Sequence, residues 1–242
     1  MQYKIAQLLS FSLAASLFAM SMVWGKNEAF LYLNANLGLI ADKVFEYSSY
    51  LAEGWIWIPY FILLVGLYKK DTAFILMNFL VSTLLTQFAK NFIFDTAMRP
   101  MASGLDASQI HTVPGVEIHT FNSFPSGHTA TAFTIFILTT YLFPNKQVFA
   151  IGLVYAIICS YSRIYLAQHF PLDVAGGILV ALLTLPISLF IRQKLNKKPF
   201  YQTSSLVILN LFKLFYVKTF FIYSKFIRII ECKCTGYHAT NY

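Results

Sequence analysis

At 242 residues the chain has room for one or two soluble domains, yet 57% of it is hydrophobic, 12% is charged and the mean hydropathy is +0.61. That composition excludes an ordinary soluble core and predicts an all-α, polytopic bundle of about six transmembrane helices, whose missing burial the bilayer supplies. The net charge of +8 lies on cations at the ends of apolar runs, with no basic helix of polar spacing, so it is a topology signal and no nucleic-acid partner is expected.

Residues 1–25 read as a first span: residues 5–24 carry no charge, and the run is long for a secretory signal and lacks a clean small-residue cleavage site, so an uncleaved anchor is expected. Residues 26–53 mix Asn34, Asn36, Asp42, Lys43 and Glu46 with Phe30, Leu33, Leu37, Ile40 and Val44 at helical spacing, the pattern of an amphipathic segment at the membrane interface. A second span covers about residues 54–68, with Trp55, Trp57 and Tyr60 as an aromatic belt; Lys69-Lys70-Asp71 is a charged turn, and residues 72–89 are a third span ending at Lys90. Residues 91–124 are polar and hold Pro100, Gly104, Pro114 and Gly115, so they form a loop outside the bilayer; its His111 and His119 are expected to be solvated. Spans four, five and six follow at residues 127–143, 148–161 and 174–191, and Gly176-Gly177 in the last permits close helix approach. Residues 193–242 are a basic tail, in which Lys213, Lys218, Lys225 and Arg228 interrupt residues 206–230 and favour a helix on the cytoplasmic surface over a seventh span. Cys232 and Cys234 have no further metal ligands nearby, and Cys159 lies in an apolar run.

Polar chemistry concentrates between spans five and six, in the stretch Ser162-Arg163, His169, Pro171 and Asp173. Proline suits the first turn of a helix, so His169 falls just before a new helix and Asp173 in its first turn, where the two can face each other. A carboxylate on one ring nitrogen fixes the tautomer and leaves the other as a lone pair, while Arg163 offers a fork of donors suited to phosphate. Upstream, Pro125-Ser126-Gly127-His128 combines a turn, a helix N-cap, a glycine and a second imidazole at a helix start, where free amides can hold an anion. Lys90 and Arg99-Pro100 add two cations where the third span gives way to the loop. A zinc site of His128, His169 and Asp173 is disfavoured by the three cations beside it.

In order, Lys90 with Arg99-Pro100, then Pro125-Ser126-Gly127-His128, then Ser162-Arg163 with His169 and Asp173 resemble the three-part signature of the type 2 phosphatidic acid phosphatase superfamily over roughly residues 50–192. The second and third parts match in full; the first has eight residues between lysine and arginine where the family usually has six. The resemblance implies a phosphatase core at residues 54–192, a lipid phosphate or diphosphate as substrate, and no metal or other cofactor. It gives His169 the role of nucleophile, Asp173 that of orienting its ring and His128 that of proton donor to the leaving oxygen. Lys90, Arg99, Ser126, Gly127 and Arg163 would bind the phosphate. The positive-inside rule agrees independently: with Lys4, Lys69-Lys70, Lys146 and the cluster after Arg192 on the cytoplasmic side, all three motifs fall on the outer face, as expected of a plasma-membrane enzyme of a bacterium. A vanadate-holding haloperoxidase, typically soluble, fits the span count poorly. A lipid transporter or non-catalytic lipid binder fits poorly with spans whose charges lie at their ends.

Overall fold

The computed structural model describes residues 2–67 and 71–196, and within them the regular elements are helices only. Eight α-helices follow in order: α1 Gln2–Val23, α2 Lys26–Leu33, α3 Leu39–Tyr50, α4 Trp57–Leu67, α5 Thr72–Phe88, α6 Gly127–Leu142, α7 Lys146–Tyr165 and α8 Pro171–Asn196. The Lys69-Lys70 turn, the expected surface helix at residues 206–230 and Cys232 and Cys234 lie outside the described residues.

Helix α6 is the centre of the packing. It is buried on nearly every side, from Thr129 through Phe133, Phe136 and Leu138 to Thr140, and it packs most extensively on α7 and also on α1 and α5. Helix α1 meets the bundle through small residues, Ala6, Ser10, Ala14 and Ser21, while Leu8, Phe11, Phe18 and Met22 are exposed. Small side chains bring backbones close where lipid leaves no hydrophobic drive between helices, and the exposed apolar side is the one a bilayer covers.

Four described helices are long and apolar enough to cross a membrane: Gln2–Val23, Thr72–Ile93, Lys146–Tyr165 and Pro171–Leu195. A fifth crossing is available if Leu39–Tyr50 and Gly54–Leu67, bent by 57° at their break, are one broken span. Helix α6 has 16 residues, about 24 Å at 1.5 Å per residue, shorter than the ~30 Å hydrocarbon layer. Two of the six expected spans, at residues 54–68 and 127–143, are the helices α4 and α6, of 11 and 16 residues, each short for a crossing by itself.

Residues 26–53 fold as α2 and α3, and α3 packs along α7. Leu39 and Ile40 are exposed, whereas Phe30, Asn34, Asp42 and Ser49 are buried. Their polar groups are satisfied within the protein: Asn34 Nδ2 donates to the carbonyls of His111, Ile164 and Tyr165 at 3.1, 3.0 and 2.8 Å. Asp42 Oδ1 accepts from the Tyr165 hydroxyl at 2.6 Å and lies 3.0 Å from His111 Nε2. His111, expected to be solvated, thus clamps the polar loop to α3 and to the end of α7.

Candidate active site

The signature residues come from four helix ends and from the loop between α5 and α6. Lys90 lies in a π-helical turn, Ala89–Ile93, that prolongs α5, and Arg99 caps a short 3₁₀ turn, Pro100–Ala102. Ser126 is the N-cap of α6, Arg163 stands in the last turn of α7, and Asp173 in the first turn of α8. The turn between α7 and α8 folds back on itself, with the amides of Gln168 and His169 donating to the Arg163 carbonyl at 2.9 and 3.0 Å. All these residues meet at one end of the bundle.

His169 is 1% exposed, and its Nδ1 lies 3.5 Å from Asp173 Oδ2, long for a hydrogen bond and close enough to tighten when substrate binds. The carboxylate is fixed independently: Oδ2 accepts from Ser123 Oγ at 2.5 Å and from the Phe170 amide at 2.8 Å. Burial, then the positive charges of Arg99, Lys90 and Arg163, push the His169 imidazole well below its usual range, with His128 a further neighbour in the same field. His169 is therefore neutral, and with Nδ1 turned to the carboxylate its Nε2 keeps the lone pair.

The cations are held by main-chain oxygens, a side-chain amide and a hydroxyl, which place them without neutralising them. Arg99 Nε donates to the Phe121 carbonyl at 2.9 Å, and its Nη1 to Gln168 at 3.0 Å for Oε1 and 3.2 Å for the carbonyl. Lys90 Nζ donates to the Asn122 carbonyl at 2.9 Å. Arg163 Nη1 donates to Ser49 Oγ, while its Nε is buried with no hydrogen-bond partner among the described residues. Arg99 and Arg163, buried with no carboxylate partner among the described residues, have a standing electrostatic demand for an anion. Asn122 and Ala167, with φ of 58° and 55°, are left-handed beside these contacts, where a non-glycine residue is retained only if the surroundings enforce it.

At the start of α6 the geometry narrows one expectation. The Ser126 amide, expected to face an anion, donates to the Asp173 carbonyl at 2.9 Å, and Ser126 Oγ accepts from Thr129. The Gly127 and His128 amides, in the first helical turn, have no intrahelical acceptor and are the groups left to meet a ligand. The two glycines of α8 explain why this junction forms: a Cβ on Gly177 would lie 2.6 Å from the Ser126 carbonyl oxygen, and one on Gly176 2.5 Å from the Phe124 ring. The longer first motif contains a π turn, closed by Phe94 N–H to the Ala89 carbonyl at 2.9 Å, which takes up about one of its two extra residues.

Motif reading missed the groups that support these: Ser123 on Asp173, Gln168 on Arg99 and Ser49 on Arg163. Nothing in their spacing marks them, because each acts through a contact that only the fold creates. Gln168 is 1% exposed and also donates from Nε2 to the Glu117 carbonyl at 2.9 Å, tying the polar loop to the turn that carries His169. His119 remains half-exposed beside Glu117, and burial, then the charge of Arg99, lowers its pKa.

An imidazole and carboxylate set among anion-seeking cations at one end of an apolar helical bundle define a membrane phosphatase. The chain belongs to the PAP2 superfamily, which it matches over residues 72–197. It is 26% identical over 153 residues to an undecaprenyl-diphosphatase of Sulfolobus acidocaldarius, a match covering 62% of this chain and 70% of that one. To the undecaprenyl-diphosphatase BcrC of Bacillus subtilis it is 35% identical over 74 residues, which is 30% of this chain and 37% of the relative's length. Among solved structures it is similar to Aquifex aeolicus LpxE, with TM-score 0.57 and 32% identity over 66% of this chain and 92% of that one. The fold is shared with a transmembrane PAP2 type phosphatidylglycerolphosphate phosphatase of Bacillus subtilis, with TM-score 0.57 and 24% identity over 83% of this chain and the whole of that one. These relatives are phosphatases, and the chain is an enzyme of that kind, an integral membrane protein acting on phosphate esters or anhydrides.

Proposed function

We propose that the protein hydrolyses a lipid phosphomonoester or diphosphate through a phosphohistidine on His169, without a metal, at the outer face of a bacterial plasma membrane. The observation that carries this reading is the neutral, buried His169 set among Lys90, Arg99 and Arg163, with Asp173 at 3.5 Å. A phosphoryl group brings about two negative charges, and its transfer is helped chiefly by positioning and by cations on its equatorial oxygens. The three cations, the Gly127 amide and the Ser126 hydroxyl proton supply that cradle. Nε2 of His169 attacks phosphorus, the bond from phosphorus to the leaving oxygen breaks, and His128 gives that oxygen a proton. Water then attacks the phosphohistidine, the phosphorus–nitrogen bond breaks, and His128 takes the proton back as phosphate leaves. Asp173 stabilises the charge that the ring acquires in between.

A site among apolar helices receives a lipid with its head group at the interface and its tails in the bilayer. Undecaprenyl diphosphate, phosphatidic acid, phosphatidylglycerol phosphate and the phosphates of lipid A all meet that condition. The test is phosphate release from these four by detergent-solubilised protein, beside His169→Ala and His128→Ala. Release from at least one lipid that both substitutions abolish, that vanadate inhibits and that chelators leave unchanged supports the reading. Release that survives His169→Ala, or that a chelator abolishes, overturns it.

A further inference from the structure

The loop between α5 and α6, expected to be polar and outside the bilayer, begins with apolar side chains turned outward. Phe88, Phe92, Ile93, Phe94 and Met98 are exposed, and so is Phe121 from the far end of the same loop. Phe92 is 77% exposed, and its ring stacks on Phe88 with 5.3 Å between centroids. Met98 and Phe121 stand on segments joined by Arg99 N–H to the Thr120 carbonyl at 2.8 Å and by Ser123 N–H to the Ala97 carbonyl at 3.0 Å. The loop has a core to use, since its Ile110 and Val113 are buried. Large side chains cover roughly 150–250 Å² each, so these six, about half exposed, leave several hundred Å² of apolar surface, an amount that marks an interaction site.

We propose that these side chains form a lip seated in the bilayer leaflet at the site's end of the bundle, over which a lipid phosphate enters sideways; this rests on the phosphatase reading. The occupant of the lip is the lipid surface. Leu84, Phe88 and Phe92 are exposed at every fourth residue, so the lip prolongs the apolar side of α5, and Thr72–Ile93 is long enough to cross a membrane. Asn91, Asp95 and Thr96 are exposed among the apolar groups, which sets the depth at the interface, where polar side chains still reach water.

The same backbone has a second side. Lys90 stands two residues before Phe92, and Arg99 follows Met98. The Phe121 carbonyl accepts from Arg99 Nε and the Asn122 carbonyl from Lys90 Nζ, each at 2.9 Å. Segments that turn apolar side chains outward thus hold two of the cations assigned to phosphate. A molecule with a tail and a phosphate satisfies both sides at once. A free phosphate uses the cations alone, and a protein partner the apolar side chains alone.

The first experiment reads depth. With Cys232 and Cys234 replaced by serine and buried Cys159 left in place, the fluorophore NBD is attached at Phe92→Cys, at Phe121→Cys and, as control, at Ser108→Cys, in phosphatidylcholine vesicles. Lipids brominated on the acyl chain are expected to quench both lip positions at least about twofold more than the control, and aqueous iodide to do the reverse. Iodide quenching at the lip equal to that of the control overturns the lip. Protection from both quenchers also overturns it, and assigns the surface to a second protein. The second experiment reads delivery, with Phe92→Ser combined with Met98→Ser. For the lipid of the four above that the wild type turns over fastest, kcat/KM in vesicles is expected to fall at least about tenfold, while that for p-nitrophenyl phosphate in water stays within about twofold. An equal fall for both, or a fall for neither, overturns the entry route. His169-dependent turnover of none of the lipids overturns the phosphatase reading, and the quenching result still decides whether the lip lies in the bilayer.

Discussion

At the scale of single residues, the site is held by a ring of contacts that never touch the reacting atoms. Gln168 fixes the Arg99 guanidinium with its side-chain oxygen at 3.0 Å and the loop with its nitrogen at 2.9 Å. A hydrogen bond to a charged group contributes about 1.5–3 kcal/mol, so Gln168→Ala is expected to lower kcat/KM by about ten- to a hundredfold. On the proposed reading Arg99 binds the phosphate, so KM should rise while kcat changes less; an equal fall in kcat would mean a general collapse of the site. His169 gives a second prediction, from its depressed pKa. The unfolded chain binds a proton here near pH 6.5 and the folded one does not, so the stability this group contributes is present above about pH 6.5 and is lost as pH falls below it. Melting of phosphate-free protein should therefore fall more steeply from pH 7.5 to 5.5 in the wild type than in His169→Gln, and parallel curves would contradict the buried neutral imidazole. His169, Asp173, Arg163 and His128 were legible in the sequence because their chemistry has no packing use between apolar runs. Gln168, Ser123 and Ser49 were not, since a glutamine or serine in a loop or helix has many uses and only the fold selects one.

At the scale of elements, the junction of α8 with the start of α6 sets the distance between the two halves of the site. The Ser126 amide bonds to the Asp173 carbonyl at 2.9 Å, and Gly177 leaves the room for it. Gly177→Ala places a carbon 2.6 Å from the Ser126 carbonyl oxygen; such overpacking costs typically about 1–3 kcal/mol. We expect a melting temperature several degrees lower and activity reduced more than tenfold. Gly66 is the control: a Cβ there meets nothing within 4 Å, and alanine in a helix interior is favoured over glycine by roughly 0.5–1 kcal/mol. Gly66→Ala is expected to hold or raise the melting temperature with activity intact, and a loss like that of Gly177→Ala would refute the close-approach explanation. The Gly176-Gly177 pair was readable as a packing feature, but not its partner, because sequence gives the glycine and not the backbone it meets. The same holds for residues 26–53, whose helical spacing was visible while the burial of Asn34 and Asp42 against α7 and the loop was not.

At the scale of the whole molecule, one end of an apolar bundle gathers cations from the end of α5, the polar loop and the end of α7 around an imidazole at the start of α8. The positive-inside reading predicts that this end faces outward. With Cys232 and Cys234 replaced by serine, Ser108→Cys in the exposed loop should react with a membrane-impermeant maleimide on spheroplasts, whereas Gln147→Cys, exposed at the start of α7, should react only after lysis. The reverse pattern would place the site in the cytoplasm. Composition made the membrane class legible at this scale; the number of crossings was less so, because α4 and α6, with 11 and 16 residues, are short for a crossing.

The central claim is that His169 carries the phosphoryl group, and its direct test is to capture that state. Lipid substrate labelled in the transferred phosphate is mixed with enzyme, quenched in alkali within milliseconds to seconds, and the protein is digested and its label mapped. The expected result is an acid-labile, alkali-stable phosphate on the peptide containing His169, absent from His169→Ala. Rapid turnover with no protein-bound label under any quench, or label on another residue, would contradict it.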